Sequence, residues 1–164
     1  MPTDVSTPRA WEAGLEEAEA VSRLIIGFRD HMGRDWPSDN AMLAGVERLM
    51  EDLGTTYLLA SVNDDSAPGG VIQLRFRHSL WTAAPDCWLE DLYVDLTVRR
   101  RGVGDALVAL ALDVAQARGA RRVELDTSED NEAARALYAR HGFSERSKGG
   151  ARDLFLGVKL TEPG

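Results

Sequence analysis

Hydrophobic residues recur at steps of three and four positions in four segments of the chain, and this spacing predicts four amphipathic helices. The predicted helices run from Glu12 to Met32, from a cap at Ser38 or Asp39 to Leu53, from Gly102 to Arg118, and from a cap at Asp130 or Asn131 to Arg140. Trp36-Pro37 separates the first two helices, and Gly119 follows the third at a position typical of a left-handed helix end.

Continuous or alternating apolar runs bounded by turn residues predict strands. They run from Thr55 to Val62, Val71 to His78, Cys87 to Val94, Arg121 to Asp126, Phe143 to Arg146 and Leu154 to Lys159. The strand-helix-strand order around the third helix predicts a parallel pair, whereas hairpins are antiparallel. The predicted fold class is α/β of the α+β kind: a mixed, mostly antiparallel twisted sheet of about six to seven strands, with helices on both faces.

The length of 164 residues suits one domain, so we expect residues 1–164 to form a single domain. The chain has 19 Lys and Arg residues against 27 Asp and Glu residues, a formal net charge of -8. This charge repels nucleic-acid phosphates and anionic membranes and attracts a cationic amine. We therefore expect no nucleic-acid partner and no membrane partner.

Cys87 is the only cysteine, which excludes an intrachain disulfide and a zinc site of several cysteines. His31, His78 and His141 are not spaced as ligand pairs, so no metal site is expected. The longest uninterrupted apolar run, Ala106 to Leu112, is too short to span a bilayer, which takes about 20 apolar residues. The N-terminus lacks the basic and apolar regions of a secretory leader. We expect a reducing, cytoplasmic location.

The segment Val98 to Gly104 lies just after a predicted strand and opens the third helix. Glycine lets a backbone approach a ligand closely, and a helix start presents N-H groups and the positive end of the helix dipole. Arg99, Arg100 and Arg101 add forked donors in an otherwise acidic chain. The segment favours binding of a pyrophosphate or a similar group. The alternative is a strand-to-helix turn with solvated arginines.

A dinucleotide fingerprint competes for the same segment, because Glu124 lies twenty residues after Gly104 on the next predicted strand. However, Leu107 occupies the third glycine position, and the polar Asp95 to Arg101 separates the strand from the glycines. The spacing therefore disfavours a Rossmann turn.

Three segments together resemble the GCN5-related N-acetyltransferase (GNAT) superfamily. Arg99-x-x-Gly102-x-Gly104 matches its Gln/Arg-x-x-Gly-x-Gly/Ala signature, and Trp88 to Val94 resembles its fourth strand. Asn131 to Phe143 resembles its Asn-x-x-Ala-x-x-Leu-Tyr-x-x-x-Gly-Phe segment. The resemblance covers about residues 54 to 160 and implies the GNAT fold, an N-acetyltransferase and acetyl-CoA as its cofactor. Arg100 stands where many members have glycine. A negative φ at this residue would accommodate the arginine.

The resemblance also implies how acetyl-CoA is held. The fourth strand would end in a bulge that separates it from the fifth, so that the backbone of Leu92, Tyr93 and Val94 pairs with the pantetheine arm. The pyrophosphate would be held by the loop and helix start, namely Arg99, Arg100, Arg101, Gly102, Val103, Gly104 and Asp105. Asn131 would bond the pantetheine arm, and the Tyr138 hydroxyl would lie near the sulfur.

The reaction implied is direct attack of an amine on the thioester in a ternary complex. An alkyl ammonium must first lose its proton, which at pH 7 costs roughly 4 to 5 kcal/mol. Glu90 is the candidate base, directly or through water, while Asp91 is expected to point to the opposite face of the strand. Tyr138 would assist the departing thiolate by a hydrogen bond. The alternatives are a salt-bridged strand carboxylate for Glu90 and a packing aromatic for Tyr138.

The acceptor, by the same resemblance, would lie between the loop of the first two helices and the second to fourth strands. This assigns Phe28, Asp35 and Trp36 to the loop side and Gln73, Arg75, Arg77 and Trp81 to the strand side. Asp35 and Trp36 favour a cation, whereas the arginines favour a carboxylate. A polyamine or diamine, an amino-acid-like amine, and a protein N-terminus or lysine all remain open. So do a non-catalytic acyl-CoA-binding or sensing domain and a homodimer, since dimers are common in the family.

Overall fold

The computed structural model describes residues 7–146 and 148–161, which fall into two compact units that meet in sequence at Leu125 and Asp126. The first unit contains β1 (Arg9–Glu12), α1 (Ala18–His31), α2 (Asp39–Met50), β2 (Thr55–Ser61), β3 (Gly70–Ser79), β4 (Ala84–Val94), α3 (Val103–Ala117) and β5 (Arg122–Leu125). The second unit contains α4 (Glu132–Arg140). The expectation of a single domain over residues 1–164 stays a prediction.

The first unit is built on a five-stranded sheet in the order β1-β2-β3-β4-β5. The first three pairings are antiparallel, and β4 pairs with β5 in parallel. The predicted fold class is therefore confirmed, as is the parallel pair around the third helix.

Helices cover both faces of this sheet. Val71 lies in a core cluster with residues of α1 and α2. Its neighbour Gly70 lies against α3, because a Cβ added there would meet Val103 and Leu107. Since successive strand residues point to opposite faces, α1 and α2 cover one face and α3 covers the other.

The first predicted helix begins later than its pattern indicated. Helix α1 starts at Ala18, and Arg9–Glu12 forms the edge strand β1, which is not among the predicted strands. The reason lies in Glu17, whose side chain accepts hydrogen bonds from the Gly14 backbone N-H at 3.2 Å and from Trp11 Nε1 at 3.0 Å. These bonds end the extended segment and begin a short 3-10 turn, which starts the helix six residues late.

The two predicted C-terminal strands are not formed. Within 143–146 and 148–161, the strand-like pairing is one isolated bridge between Arg146 and Arg152. The apolar side chains of Leu154, Phe155, Leu156, Val158 and Leu160 are exposed. A strand forms only where a partner supplies a ladder of hydrogen bonds, and alternation alone supplies none. The described sheet accordingly has five strands instead of six to seven.

The loop between α1 and α2 is held by a buried arginine. Arg29 donates from Nη1 to the Pro37 carbonyl at 2.6 Å and forms ion pairs with Asp30 at 2.7 Å and with Asp39 at 2.8 Å. The hydrogen bond to Asp30 raises the pKa of Arg29 above its ordinary value, with a further contribution from Asp39. Ser38 then caps α2 by accepting from Ala41 N. These contacts position the loop in which the candidate acceptor residues lie.

No helix in the described parts of the chain is long and apolar enough to cross a membrane.

The close approach of β3 to α3 can be tested with a matched pair of glycines. At Gly70 an added methyl would lie 2.6 Å from Val103 Cγ1, so Gly70→Ala should lower the free energy of unfolding by about 1 to 3 kcal/mol. Gly45, inside α2, has nothing within 4 Å of such a methyl, so Gly45→Ala should raise it by up to about 1 kcal/mol. Urea denaturation measures both. Equal effects of the two substitutions would contradict the packing of α3 on Gly70.

Candidate functional site

Strand β4 contains a bulge directly after Glu90. Gln73 of β3 pairs with Glu90, yet Val71 pairs with Tyr93, so two steps on β3 correspond to three on β4. Asp91 is at the bulge, exposed, with a left-handed φ of 39°. The bulge implied by the resemblance is present, and it keeps Glu90 and Tyr93 on the same face of the sheet.

The parallel pairing of β4 with β5 ends where this bulge begins. The last pair is Leu89 with Leu125, while β4 continues to Val94. Leu92, Tyr93 and Val94 therefore lie beyond the end of β5, and an extended ligand could pair with this part of the strand. The Tyr93 side chain is buried beside α1, with its ring 5.5 Å from that of Phe28, so its backbone is the part left for a ligand.

The loop between β4 and α3 turns through two left-handed residues. Gly102 has φ 83° and is the N-cap of α3, and Arg100 has φ 61°. The negative φ that would accommodate arginine at position 100 is therefore absent. The chain must turn within four residues between the 3-10 turn Leu96–Val98 and α3, and left-handed conformations at positions 100 and 102 make this turn. Arginine at position 100 is therefore strained where glycine would not be.

The arginines of this loop are exposed and differ in their contacts. Arg99 donates from Nε to the Val94 carbonyl at 2.9 Å, and its guanidinium lies 5.9 Å from the centre of the Tyr93 ring. Arg99 thus ties the loop to the end of β4. Arg100 and Arg101 follow it towards the start of α3.

The start of α3 suits a phosphate group. Its N-cap is Gly102, which has no side chain to cap the first N-H groups, and Gly104 follows in the first turn. Val103 is buried, so it can offer only its backbone, and Asp105 lies in the same turn. Uncapped N-H groups beside exposed arginines fit the pyrophosphate of CoA.

Tyr57, Gln73 and Glu90 form a row across β2, β3 and β4 on the face that α1 and α2 cover. The Tyr57 hydroxyl donates to Gln73 Oε1 at 3.2 Å, and both side chains are buried. Burial raises the pKa of Tyr57, and the negative charges of Asp91 and Glu90 raise it further, so its hydroxyl stays protonated. Tyr57 is not among the residues predicted from the sequence, because only the strand register shows that it lies opposite Gln73.

The other candidate acceptor residues are dispersed. Arg75 lies 3.9 Å from Asp52 in an ion pair, and Arg77 lies over the Trp88 ring. Asp35 and Trp36 are exposed in the α1–α2 loop, and Trp81 is exposed in the turn after β3. The structure therefore brings Gln73 to Glu90, and Phe28 to Tyr93, but leaves the loop residues in solvent.

Asn131 and Tyr138 belong to the second unit. Asn131 caps α4 by accepting from Ala134 N at 3.2 Å, as predicted for this position. The half-buried Tyr138 packs edge-on against Phe143, with ring centroids 5.8 Å apart. Burial raises the pKa of Tyr138, and the charge of Asp126 raises it further. Tyr138 is therefore a protonated hydrogen-bond donor at neutral pH.

The described residues include the candidate metal ligands and the single cysteine. Among the described residues, no group of three or more His, Cys, Asp or Glu side chains is placed to hold a metal ion. Cys87 is buried, and burial raises the pKa of its thiol to about 11. A thiol that stays protonated at neutral pH is a poor nucleophile.

Comparison with known sequences identifies related proteins. The profile of the Acetyltransferase (GNAT) family matches residues 25–143. Mycothiol acetyltransferase of Beutenbergia cavernae is 45% identical over 138 residues, which cover 80% of this chain and 43% of that protein. The uncharacterised N-acetyltransferase YhfO of Bacillus subtilis is 39% identical over 136 residues, which cover 82% of this chain and 88% of that one. The chain thus spans less than half of the first relative.

Solved structures share the fold. A protein from Arthrobacter sp. FB24, provisionally named an acetyltransferase, is 26% identical with a TM-score of 0.82, covering 98% of this chain and 99% of that one. An aminoglycoside N-acetyltransferase crystallised in complex with CoA is 22% identical with a TM-score of 0.74, covering 98% and 100%. The second likeness concerns the fold alone.

The left-handed conformation of Arg100 predicts that glycine is preferred at this position. Arg100→Gly should raise the free energy of unfolding by about 0.5 to 1 kcal/mol, because relief of the strain exceeds the entropy that glycine adds to the unfolded chain. Arg101→Gly is the matched control, since Arg101 is not among the residues with positive φ, and it should be neutral or destabilising. Thermal denaturation compares them. A loss of stability in Arg100→Gly would contradict the strain.

Proposed function

Because the chain belongs to the GNAT family of acetyltransferases, we propose that it transfers the acetyl group of acetyl-CoA to a primary amine of a small molecule. The order of features from Glu90 to Gly104 carries this proposal. A carboxylate, a bulge, a strand end beyond β5 and a loop with arginines and glycine follow one another. They supply in turn a base, a place for an extended thioester arm and a pyrophosphate site.

A polyamine or diamine and an amino-acid-like amine are the acceptor classes that we propose. The net charge of -8 favours a cationic substrate. The printed names of two related proteins, a mycothiol acetyltransferase and an aminoglycoside N-acetyltransferase, also point to small molecules. A protein N-terminus or lysine is the alternative acceptor. We place the reaction in the cytoplasm, in line with the single cysteine.

Glu90 starts the proposed reaction by accepting a proton from the acceptor ammonium, directly or through water. Acetyl-CoA supplies an activated thioester carbonyl. The free amine nitrogen attacks this carbonyl and loses its second proton to water, and the C-S bond breaks to give an amide and the CoA thiolate. Removing the first proton at pH 7 costs roughly 4 to 5 kcal/mol for an ordinary alkylamine, which is the barrier a base at Glu90 would reduce.

Tyr138 has the proposed role of hydrogen-bond donor to the thiolate, a role carried over from the Asn131 to Phe143 motif. A phenol with an ordinary pKa of about 10 is already a weaker acid than a thiol at about 8.5. Burial and Asp126 raise the pKa of Tyr138 further, which makes complete proton transfer still less favourable. We therefore assign Tyr138 a stabilising hydrogen bond, with the thiolate protonated afterwards by solvent.

Release of free CoA thiol from acetyl-CoA tests the proposed function directly. We expect release to depend on an acceptor when polyamines, amino acids and peptides are supplied in turn. Cys87 will not contribute to the thiol signal, because it is buried and its pKa is about 11. Acetyl-CoA binding by calorimetry without release for any acceptor would instead indicate an acyl-CoA sensor. Absence of binding would contradict the proposal altogether.

Two conservative substitutions test the proposed roles. Glu90→Gln should lower kcat roughly 100- to 10,000-fold, the range typical of a lost general base. Tyr138→Phe should lower kcat roughly 10- to 150-fold through one lost hydrogen bond to a charged group, with little change in KM for acetyl-CoA. Glu47→Gln, on the exposed side of α2, is the control for a lost carboxylate. Unchanged turnover in either variant removes that residue from the mechanism.

A further inference from the structure

Gln73 has a buried amide donor that the proposed reaction does not use. The residue is 3% exposed, and its Nε2 is enclosed without a hydrogen-bond partner among the described residues. Buried donors without an acceptor are rare in proteins, because a hydrogen bond left unmade in the interior lowers the stability of the fold. The burial also withdraws Gln73 from the solvent in which an acceptor would arrive, which argues for a role other than direct contact with substrate.

Tyr57 determines which end of the Gln73 amide is the donor. Its hydroxyl stays protonated and donates to Oε1 at 3.2 Å, so Oε1 is the acceptor end. The opposite end, Nε2, must therefore donate. The amide has a defined orientation because both residues lie on paired positions of β2 and β3.

Glu90 is the carboxylate placed to receive this donor. It pairs directly with Gln73, and side chains of directly paired residues are about 4.5 to 5.5 Å apart at Cβ and point to the same face. Asp91, the bulged residue, has no paired residue on β3 and is exposed, although its charge also acts on Tyr57. A hydrogen bond from an N-H group to an ionised carboxylate is also stronger than one to a neutral acceptor.

We propose that Gln73 is a positioning residue for Glu90, donating from Nε2 to its carboxylate when the acceptor amine binds, with Tyr57 holding the amide in the required orientation. The inference rests on the proposed function, in which Glu90 is the base. A hydrogen bond to the ionised carboxylate favours that form, so Glu90 is ready to accept the proton of the ammonium. Gln73 itself gains and loses no proton.

Several charged or titratable groups lie on the strands and the helix next to Glu90, and their effects must be distinguished from that of Gln73 in any pH measurement. They are Tyr57 on β2, Arg75 on β3 with its partner Asp52, Asp91 on β4, Glu124 on β5 with its partner Arg122, and Asp30 and His31 of α1 near Tyr93. The His31 ring lies 6.4 Å from the Tyr93 ring, so a variant of His31 provides a control for this group.

The pH dependence of kcat, which reports the complex with bound amine, tests the proposal in Gln73→Met, which retains length and apolar volume but lacks the donor. We expect the acidic limb of the Gln73→Met profile to move to higher pH by roughly one unit, because the ionised carboxylate loses a hydrogen bond. On the acidic side of the limb the rate should therefore fall about tenfold. KM for acetyl-CoA should not change. Tyr57→Phe, which frees the amide to rotate, should shift the limb in the same direction by less. The shift should persist in a His31→Gln background.

Titration of the Glu90 carboxyl carbon by NMR provides a reading independent of turnover, with the signal assigned from Glu90→Gln and recorded with a bound amine. The same upward shift is expected in Gln73→Met. Gln116→Met, at the other glutamine of the chain and exposed on α3, should leave the titration unchanged. If Gln73→Met does not fold, Tyr57→Phe/Gln73→Met removes both polar ends and serves in its place.

The outcomes separate this inference from the proposed function. An unchanged Glu90 titration and an unchanged acidic limb in Gln73→Met would overturn the positioning role, even with full acetyltransferase activity. A shifted titration with normal turnover in Glu90→Gln would support the contact and remove Glu90 as the base. A fall in kcat at every pH without a shifted limb would show that Gln73 is merely structural, and would overturn the proposal.

Discussion

The antiparallel pairing of β3 with β4, and the one extra residue that β4 inserts into it, determine the arrangement on which the rest of the site depends. With the bulge, Glu90 and Tyr93 share the face covered by α1 and α2. Without it, the alternation of a regular strand would place Asp91 on that face and turn Glu90 towards α3. A single inserted residue therefore decides which of two adjacent carboxylates meets Gln73.

The same position ends the pairing between β4 and β5. Leu89 is the last residue of β4 with a partner on β5, and the bulge begins at the next residue. Beyond it the strand continues to Val94, whose carbonyl accepts a hydrogen bond from the Arg99 side chain. Arg99 begins the loop that leads through Gly102 to α3, here called the glycine loop. The candidate base, the strand end and the candidate anion-binding loop are thus linked by one continuous piece of backbone.

The departures from the predicted elements have local causes. Periodicity extended the first helix back to Glu12, but the Glu17 side chain bonds to Gly14 and Trp11 and ends an edge strand there. Alternation predicted a strand at Leu154 to Lys159, where the described segment has no ladder partner. Arg100 is the third departure. The turn requires a left-handed conformation at this position, which an arginine in the sequence does not predict. The causes are a side-chain contact, a missing strand partner and a turn geometry, none of which periodicity encodes.

The sequence by itself determined the class of the protein. Periodicity located four helices and the central strands, and the glycine loop and the Asn131 to Phe143 motif were sufficient to identify the family. These features are local, since each depends on residues close together in the chain.

Only the tertiary structure decided what faces the candidate base. Tyr57, Gln73 and Glu90 are far apart in sequence, and they form one row because strand register places them opposite one another. Register depends on hydrogen bonds between distant segments and on one bulge, so no local pattern could reveal the buried Tyr57 hydroxyl or the enclosed Gln73 amide.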